Sequence, residues 1–160
     1  MPGEAILLGA DHAGYPLKSE LAEHLSQLGY RPMDLGTDSP DSVDYPDFAR
    51  PLAEAILEGR AARGVLVCGA GIGMAMAANR YPGVRAANCL TQEMAALARE
   101  HNDANVLCLG GRLLHPAEAK KILWTFLDTP FGGGRHQRRV AKIDGREAPE
   151  RVAEAGRAVR

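Results

Sequence analysis

Residues 64–80, GVLVCGAGIGMAMAANR, restrict the chain to few architectures. Val65-Leu66-Val67 is a short apolar run rich in β-branched residues, the composition of a strand buried on both faces of a parallel sheet. Gly69, Gly71 and Gly73 then allow backbone angles that side chains forbid, and Met74-Ala75-Met76-Ala77-Ala78 follows with strong helix formers. A strand end, a glycine loop and a helix start gather unpaired backbone N–H groups around one point, and the helix dipole adds partial positive charge. Such a turn suits an anion.

A dinucleotide-binding loop is the competing reading, but its glycines run G-x-G-x-x-G and these run G-x-G-x-G. Ala86-Ala87-Asn88-Cys89 also stands where a ribose-binding acid would be needed, so no nicotinamide or flavin cofactor is expected. Cys68 ends the strand and aims a thiol at the same pocket. Thiols beside helix N-termini ionise more readily, which equips Cys68 as a base or nucleophile. The alternative is a small buried apolar residue, and this stretch alone leaves both readings open.

At 160 residues the chain suits one domain with a substantial core. A formal net charge of −1 gives no reason to expect nucleic acid or an anionic membrane as a partner. The apolar run at residues 5–10 is too short to span a bilayer and has no basic stretch before it, so neither signal peptide nor anchor is expected and the location is cytoplasmic. Cys68, Cys89 and Cys108 form no C-x-x-C pair and have no close histidine in sequence, which argues against disulfides and a metal site.

Five strand-like runs, at residues 5–9, 30–35, 64–68, 84–89 and 105–109, alternate with helical patterns. Pro32 places the second run at an edge. The first helix carries Leu17, Leu21, Leu25 and Leu28 on one stripe and stops at Gly29. The second runs through Leu52, Ile56 and Leu57, where Pro51 requires a start or a bend nearby. Thr91 caps the helix 92–100, and Pro116 opens one with Ile122, Leu123, Phe126 and Leu127 on its face. The alternation predicts an α/β fold: a single-domain, Rossmann-like three-layer αβα sandwich with a five-stranded parallel sheet in the order 2-1-3-4-5. The domain spans residues 1–145, and residues 146–160 read as a mobile or loosely helical tail.

Functional groups in such sheets gather beyond the C-terminal strand ends. Asp11 and His12 follow the first strand, Cys68 and the glycines the third, and Arg112 the fifth. Three glycines at 132–134 then break a helix, and Arg135 and Arg139 share a face if it resumes. Two guanidinium forks on one face make a phosphate clamp, although a solvated basic turn would read the same.

The stretches GADHAG (9–14), DYPD (44–47), CGAGIGM (68–74), AAN (77–79), HNDANVL (101–107) and GRHQ (134–137) resemble the ribose-5-phosphate isomerase B family, which also includes the galactose-6-phosphate isomerase subunits. The resemblance implies a metal-free, cofactor-free interconversion of ribose 5-phosphate and ribulose 5-phosphate through an enediolate, within pentose phosphate metabolism. It assigns Cys68 as the base and His101 as the acid–base group that opens the furanose ring. It places Gly69, Ala70, Gly71, Ile72 and Gly73 around the enediolate oxygen, Asp11 and Asn102 on the sugar hydroxyls, and Tyr45 among the substrate-binding residues. His12, Arg112, Arg135 and Arg139 surround the phosphate. The last two arginines resemble a clamp from a neighbouring subunit, which implies a homodimer with a shared site, or a pair of such dimers.

Two positions set this chain apart. Ala70 stands where the family commonly has Thr or Ser, and Met74 where another branch carries a catalytic glutamate, which favours Cys68 as base. The rival readings are the same chemistry on a six-carbon sugar phosphate such as allose or galactose 6-phosphate, a non-catalytic module for phosphorylated ligands, and a nucleic-acid binder acting through the basic cluster at Arg135 and Arg139.

Overall fold

A computed structural model describes residues 3–146. Its elements are β1 (Ala5–Ala10), α1 (Tyr15–Gln27), β2 (Arg31–Asp34), α2 (Pro46–Leu57), β3 (Arg63–Cys68), α3 (Ile72–Ala78), β4 (Ala86–Asn88), α4 (Gln92–Asn102), β5 (Val106–Gly110), α5 (Pro116–Asp128) and α6 (Arg135–Ile143). The tail expected over 146–160 lies, from residue 147, outside the described residues.

The strands form one parallel sheet, and alternation along each strand builds two cores. On one face Ile6, Leu8, Val65, Val67, Leu107 and Leu109 pack against Leu17, Leu21 and Leu25 of α1, Ala95 and Ala98 of α4 and Phe126 of α5. On the other, Leu7, Leu66, Cys68, Val106 and Cys108 meet Ala49, Leu52 and Ala53 of α2 and Met74 and Ala78 of α3. Three layers result, as the alternation of strand and helix requires.

The strand order is β2-β1-β3-β5-β4, which corrects the expected 2-1-3-4-5. Burial gives the reason. Every residue of β5 is buried, whereas β4 is three half-buried residues, so β5 takes the inner place and β4 the edge. The swap sets Cys68 opposite Gly110. β2, with Pro32, holds the other edge as expected.

Helix α2 begins at Pro46, so Pro51 lies inside it rather than near its start. Its ring removes one helical hydrogen bond, and the burial of Ala49, Leu52, Ala53 and Ala55 keeps the helix in place around it. Thr91 caps α4 as expected, its hydroxyl accepting from the Met94 N–H.

One buried cation organises the loop after β2. Lys18, 1% exposed, donates to the Asp34 carboxylate and, at 2.8 Å, to the Thr37 carbonyl. Asp34 also accepts the Gly36 N–H, and the segment beyond ends with the Val43 N–H on His12 Nδ1. Replacing Lys18→Met keeps the apolar stem but strands a buried carbonyl, and is expected to lower stability by about 1–3 kcal/mol. Urea denaturation tests this, and an unchanged midpoint would contradict it.

Candidate active site

Three loops meet where the strands end. The Gly111 N–H donates to the Cys68 carbonyl at 2.8 Å, the Arg112 N–H to Gly69 at 3.0 Å, and the Asp11 N–H to Val67 at 3.2 Å. Contact this close leaves no room for side chains. A Cβ on Gly14 would stand 2.2 Å from the Val67 carbonyl oxygen, and one on Gly110 would lie 2.9 Å from the Ala70 backbone. The β1, β3 and β5 loops therefore form one surface.

Cys68 is 5% exposed, and the Gly71 N–H donates to its Sγ at 3.2 Å. Gly71 caps α3 with φ +81°, a conformation that disfavours any side chain. Behind it lies Asn88 Oδ1, 2.4 Å from where a Gly71 Cβ would sit and without a hydrogen-bond partner among the described residues. The amides of Ile72, Gly73 and Met74 open the helix and lack carbonyl partners within it. Sulfur and amides thus share one corner.

The other residues expected at this edge are there. Asp11 is buried, its Oδ1 accepting the Gly14 N–H at 3.0 Å. His12 Nδ1 accepts from Val43 at 3.2 Å, so in the neutral ring Nε2 carries the proton. The Arg112 guanidinium lies over Gly69, with Nη1 3.5 Å from the position of a Cβ there. The Tyr45 ring covers Gly73, 2.6 Å from where its Cβ would be. Ala70 contributes backbone alone, without a hydroxyl.

His101, Asn102, Arg135 and Arg139 are elsewhere. Helices in this fold return antiparallel to the strands, so the last turn of α4, which carries His101 and Asn102, lies at the edge where strands begin. Eleven helical residues span about 16 Å, roughly the separation of the two edges. Helix α6 packs against α4 and brings its exposed Arg135 and Arg139 to that second edge. Helix resumption at Arg135 thus aligns the arginines as expected. The residues expected around one ligand thus fall into two groups at opposite edges, one with Cys68 and the glycine loop, the other with His101 and the two arginines.

The second group contains a residue that sequence reasoning missed. His136 stacks on His101 with ring centroids 4.3 Å apart and an interplanar angle of 14°. Thirty-five positions separate them, and the local signal is that His136 stands one helical turn before the apolar Val140 of α6. The His136 pKa lies below the ordinary histidine value, through desolvation first and then the fields of His101, Arg135 and Arg139, with Glu100 opposing. Beside the pair, Asn102 lines a cavity of about 320 Å³ with Asn79, Arg85, Ala86, Ala87, Ala104 and Ile143.

Burial raises Cys89 to about 11 and also pushes Cys108 up, leaving both as neutral packing thiols. Among the described residues no group of three or more His, Cys, Asp or Glu is placed to hold a metal ion, and no helix is long and apolar enough to cross a membrane.

The histidine stack predicts a pH signature. Unfolded His136 regains its ordinary pKa near 6.5, so between that value and its lower folded pKa the unfolded chain binds more protons. Stability should fall as pH drops through 6.5, and His136→Gln should flatten the decline. Thermal melts from pH 7.5 to 5.5 read this, and identical slopes in both proteins would contradict it.

A family model described as Ribose/Galactose Isomerase matches residues 6–143. The ribose-5-phosphate isomerase B of Escherichia coli K12 is 42% identical over 138 residues, which cover 86% of this chain and 93% of that protein. The crystal structure of a ribose 5-phosphate isomerase from Thermotoga maritima matches with TM-score 0.87 and 50% identity, covering 89% and 98% of the two chains. The type B ribose 5-phosphate isomerase of Trypanosoma brucei matches with TM-score 0.87 and 43% identity, covering 91% and 99%. With the interlocked loops, the amide corner and a match over nearly all the described residues, this chain belongs to the ribose/galactose isomerase family.

Proposed function

We propose that the protein interconverts ribose 5-phosphate and ribulose 5-phosphate through an enediolate. The observation that carries the reading is the Cys68 sulfur within 3.2 Å of the Gly71 amide, at the mouth of a loop whose first helical amides are unused by the helix. The hydrogen on C2 of an open-chain aldose is weakly acidic, so its removal needs a base and fixed donors for the oxyanion that forms. Cys68, as thiolate, takes the proton from C2 and returns it to C1. The C2–H pair becomes the C1=C2 bond of the enediolate while the C1 carbonyl pair moves onto O1, which gains a proton. Loss of the O2 hydroxyl proton then turns its O–H pair into the C2 carbonyl, and the C1=C2 pair takes the proton at C1. The loop 69–73 holds the oxyanion meanwhile.

His101 donates to the ring oxygen and accepts from the O1 hydroxyl, which opens the furanose. Asp11, Tyr45 and Asn102 hold sugar hydroxyls. His12, Arg112, Arg135 and Arg139 take the phosphate, whose binding energy orients the distant reacting carbons. The Nε2 proton of His12 suits a phosphate oxygen.

One chain cannot assemble this site, because its two halves stand at opposite edges of the sheet. We therefore propose a homodimer in which the second copy supplies His101, Asn102, Arg135 and Arg139 to the Cys68 half-site. Exposed Ile72 and Met76 on α3, at 52% and 67% exposure, give apolar surface beside the glycine loop for that contact. Three unpaired cysteines fit a reducing compartment, as the cytoplasm provides.

The purified protein should convert ribose 5-phosphate, and Cys68→Ala should lose at least 10³-fold in kcat, the order expected when a proton-transfer base is removed, without loss of fold. Arg139→Ala should raise KM with a smaller effect on kcat. Wild-type turnover in Cys68→Ala would overturn the assignment of the base. Parallel assays with allose 6-phosphate and galactose 6-phosphate separate the five-carbon reading from the six-carbon one.

A further inference from the structure

Helix α6 carries two of the proposed phosphate ligands, yet little apolar packing holds it. In its nine residues, RHQRRVAKI, only Val140 is buried. A helix this short is marginal by itself, so its position must come from tethers. At its start the Gly132 N–H donates to the Glu100 carbonyl at 2.9 Å, and His136 stacks on His101. At its end stands a half-buried charge network centred on Arg85.

The Arg85 backbone is fixed to the sheet. Its N–H donates to Asn105 Oδ1 at 2.7 Å, and its carbonyl accepts from the amides of Asn105 and Val106. Its side chain, 15% exposed, reaches both functional helices. Nη1 donates to Asp144 Oδ2 at 2.8 Å, and Asp144 is the C-cap of α6 with a side chain 6% exposed. Nε donates to the Asp103 carbonyl at 2.8 Å and Nη2 to Asp103 Oδ2 at 3.3 Å. Asp103 is the left-handed C-cap of α4, next in sequence to His101-Asn102, and its Oδ1 accepts from Arg99 Nη1 at 3.0 Å. Lysine has a single ammonium head in place of this planar fork and could not span both caps in the same geometry.

We propose that Arg85 is a positioning residue of the second half-site, holding the ends of α4 and α6 in register so that His101, Asn102, Arg135 and Arg139 face one ligand. The proposal rests on the isomerase reading above for the ligand and goes beyond it in assigning a role to a residue whose guanidinium is engaged by Asp103 and Asp144. Asp144 transmits the effect to the arginines and Asp103 to His101.

The test is a kinetic cycle in the full-length protein. Asp144→Asn should raise KM for ribose 5-phosphate at least fivefold with kcat within threefold of wild type, because α6 supplies the proposed phosphate ligands. Arg85→Lys should raise KM and also lower kcat, because it loosens α4 as well. In an Arg135→Ala/Arg139→Ala background, Asp144→Asn should add less than twofold in KM, since the arginines it positions are gone. A merely structural role would multiply with the double substitution instead, and that result, or an unchanged KM in both single variants, would overturn the proposal. If Arg85→Lys fails to fold, Asp144→Asn alone decides. Absence of turnover in the wild type would sink the isomerase reading; inorganic phosphate binding by calorimetry then decides here, with weaker binding in Asp144→Asn supporting Arg85 and equal binding refuting it.

Discussion

Backbone must touch backbone where β1, β3 and β5 end, and the rest of the arrangement follows from that contact. Gly14 lies under the Val67 carbonyl, Gly110 under Ala70, and Gly111 donates to Cys68, so the loops hold one another without side chains between them. The contact fixes β5 beside β3, because Gly110 must pass under the glycine loop. It leaves the Cys68 sulfur and the first amides of α3 together at one corner. Polar groups on rigid strand ends need little reorganisation when charge develops near them, the condition for electrostatic stabilisation of an oxyanion.

The same topology divides the chemistry. Every helix that returns from the catalytic edge ends at the opposite edge, so a residue in the last turn of α4 cannot reach a residue at the end of β3. His101 is such a residue, and α6 carries its arginines to the same place. The proposed homodimer meets this geometry, because an isologous interface can present the α4–α6 end of one chain to the β3 end of the other and form two equivalent sites. In that proposal the charged tethers at Arg85 bear on the ligand although they stand at the opposite sheet edge from Cys68 of their own chain.

Much of this was legible in the sequence. Val65-Leu66-Val67 followed by spaced glycines identified the central strand and its loop, Pro32 placed β2 at an edge, and Thr91 and Pro116 marked helix starts. The i, i+4 spacing of Arg135 and Arg139 anticipated a shared face. Other features depend on distance through space, which spacing along the chain does not encode. The inner place of β5 came from burial on both faces, which a five-residue apolar run shares with other strands. The His101–His136 stack and the Arg85 network join residues separated by dozens of positions, and nothing local distinguishes Arg85 from a solvated arginine. The resemblance already assigned Arg135 and Arg139 to a neighbouring subunit, and what local spacing does not encode is that helix direction brings His101 and Asn102 to the same edge as these arginines.

Complementation between two defective chains tests the shared site most directly. Cys68→Ala and His101→Ala proteins, each inactive alone, are mixed under conditions that exchange subunits and assayed for isomerisation. Random pairing makes half of the dimers mixed, each with one intact site, so about a quarter of wild-type activity should return. Stable mixed dimers without any recovered activity would contradict a site built from both chains.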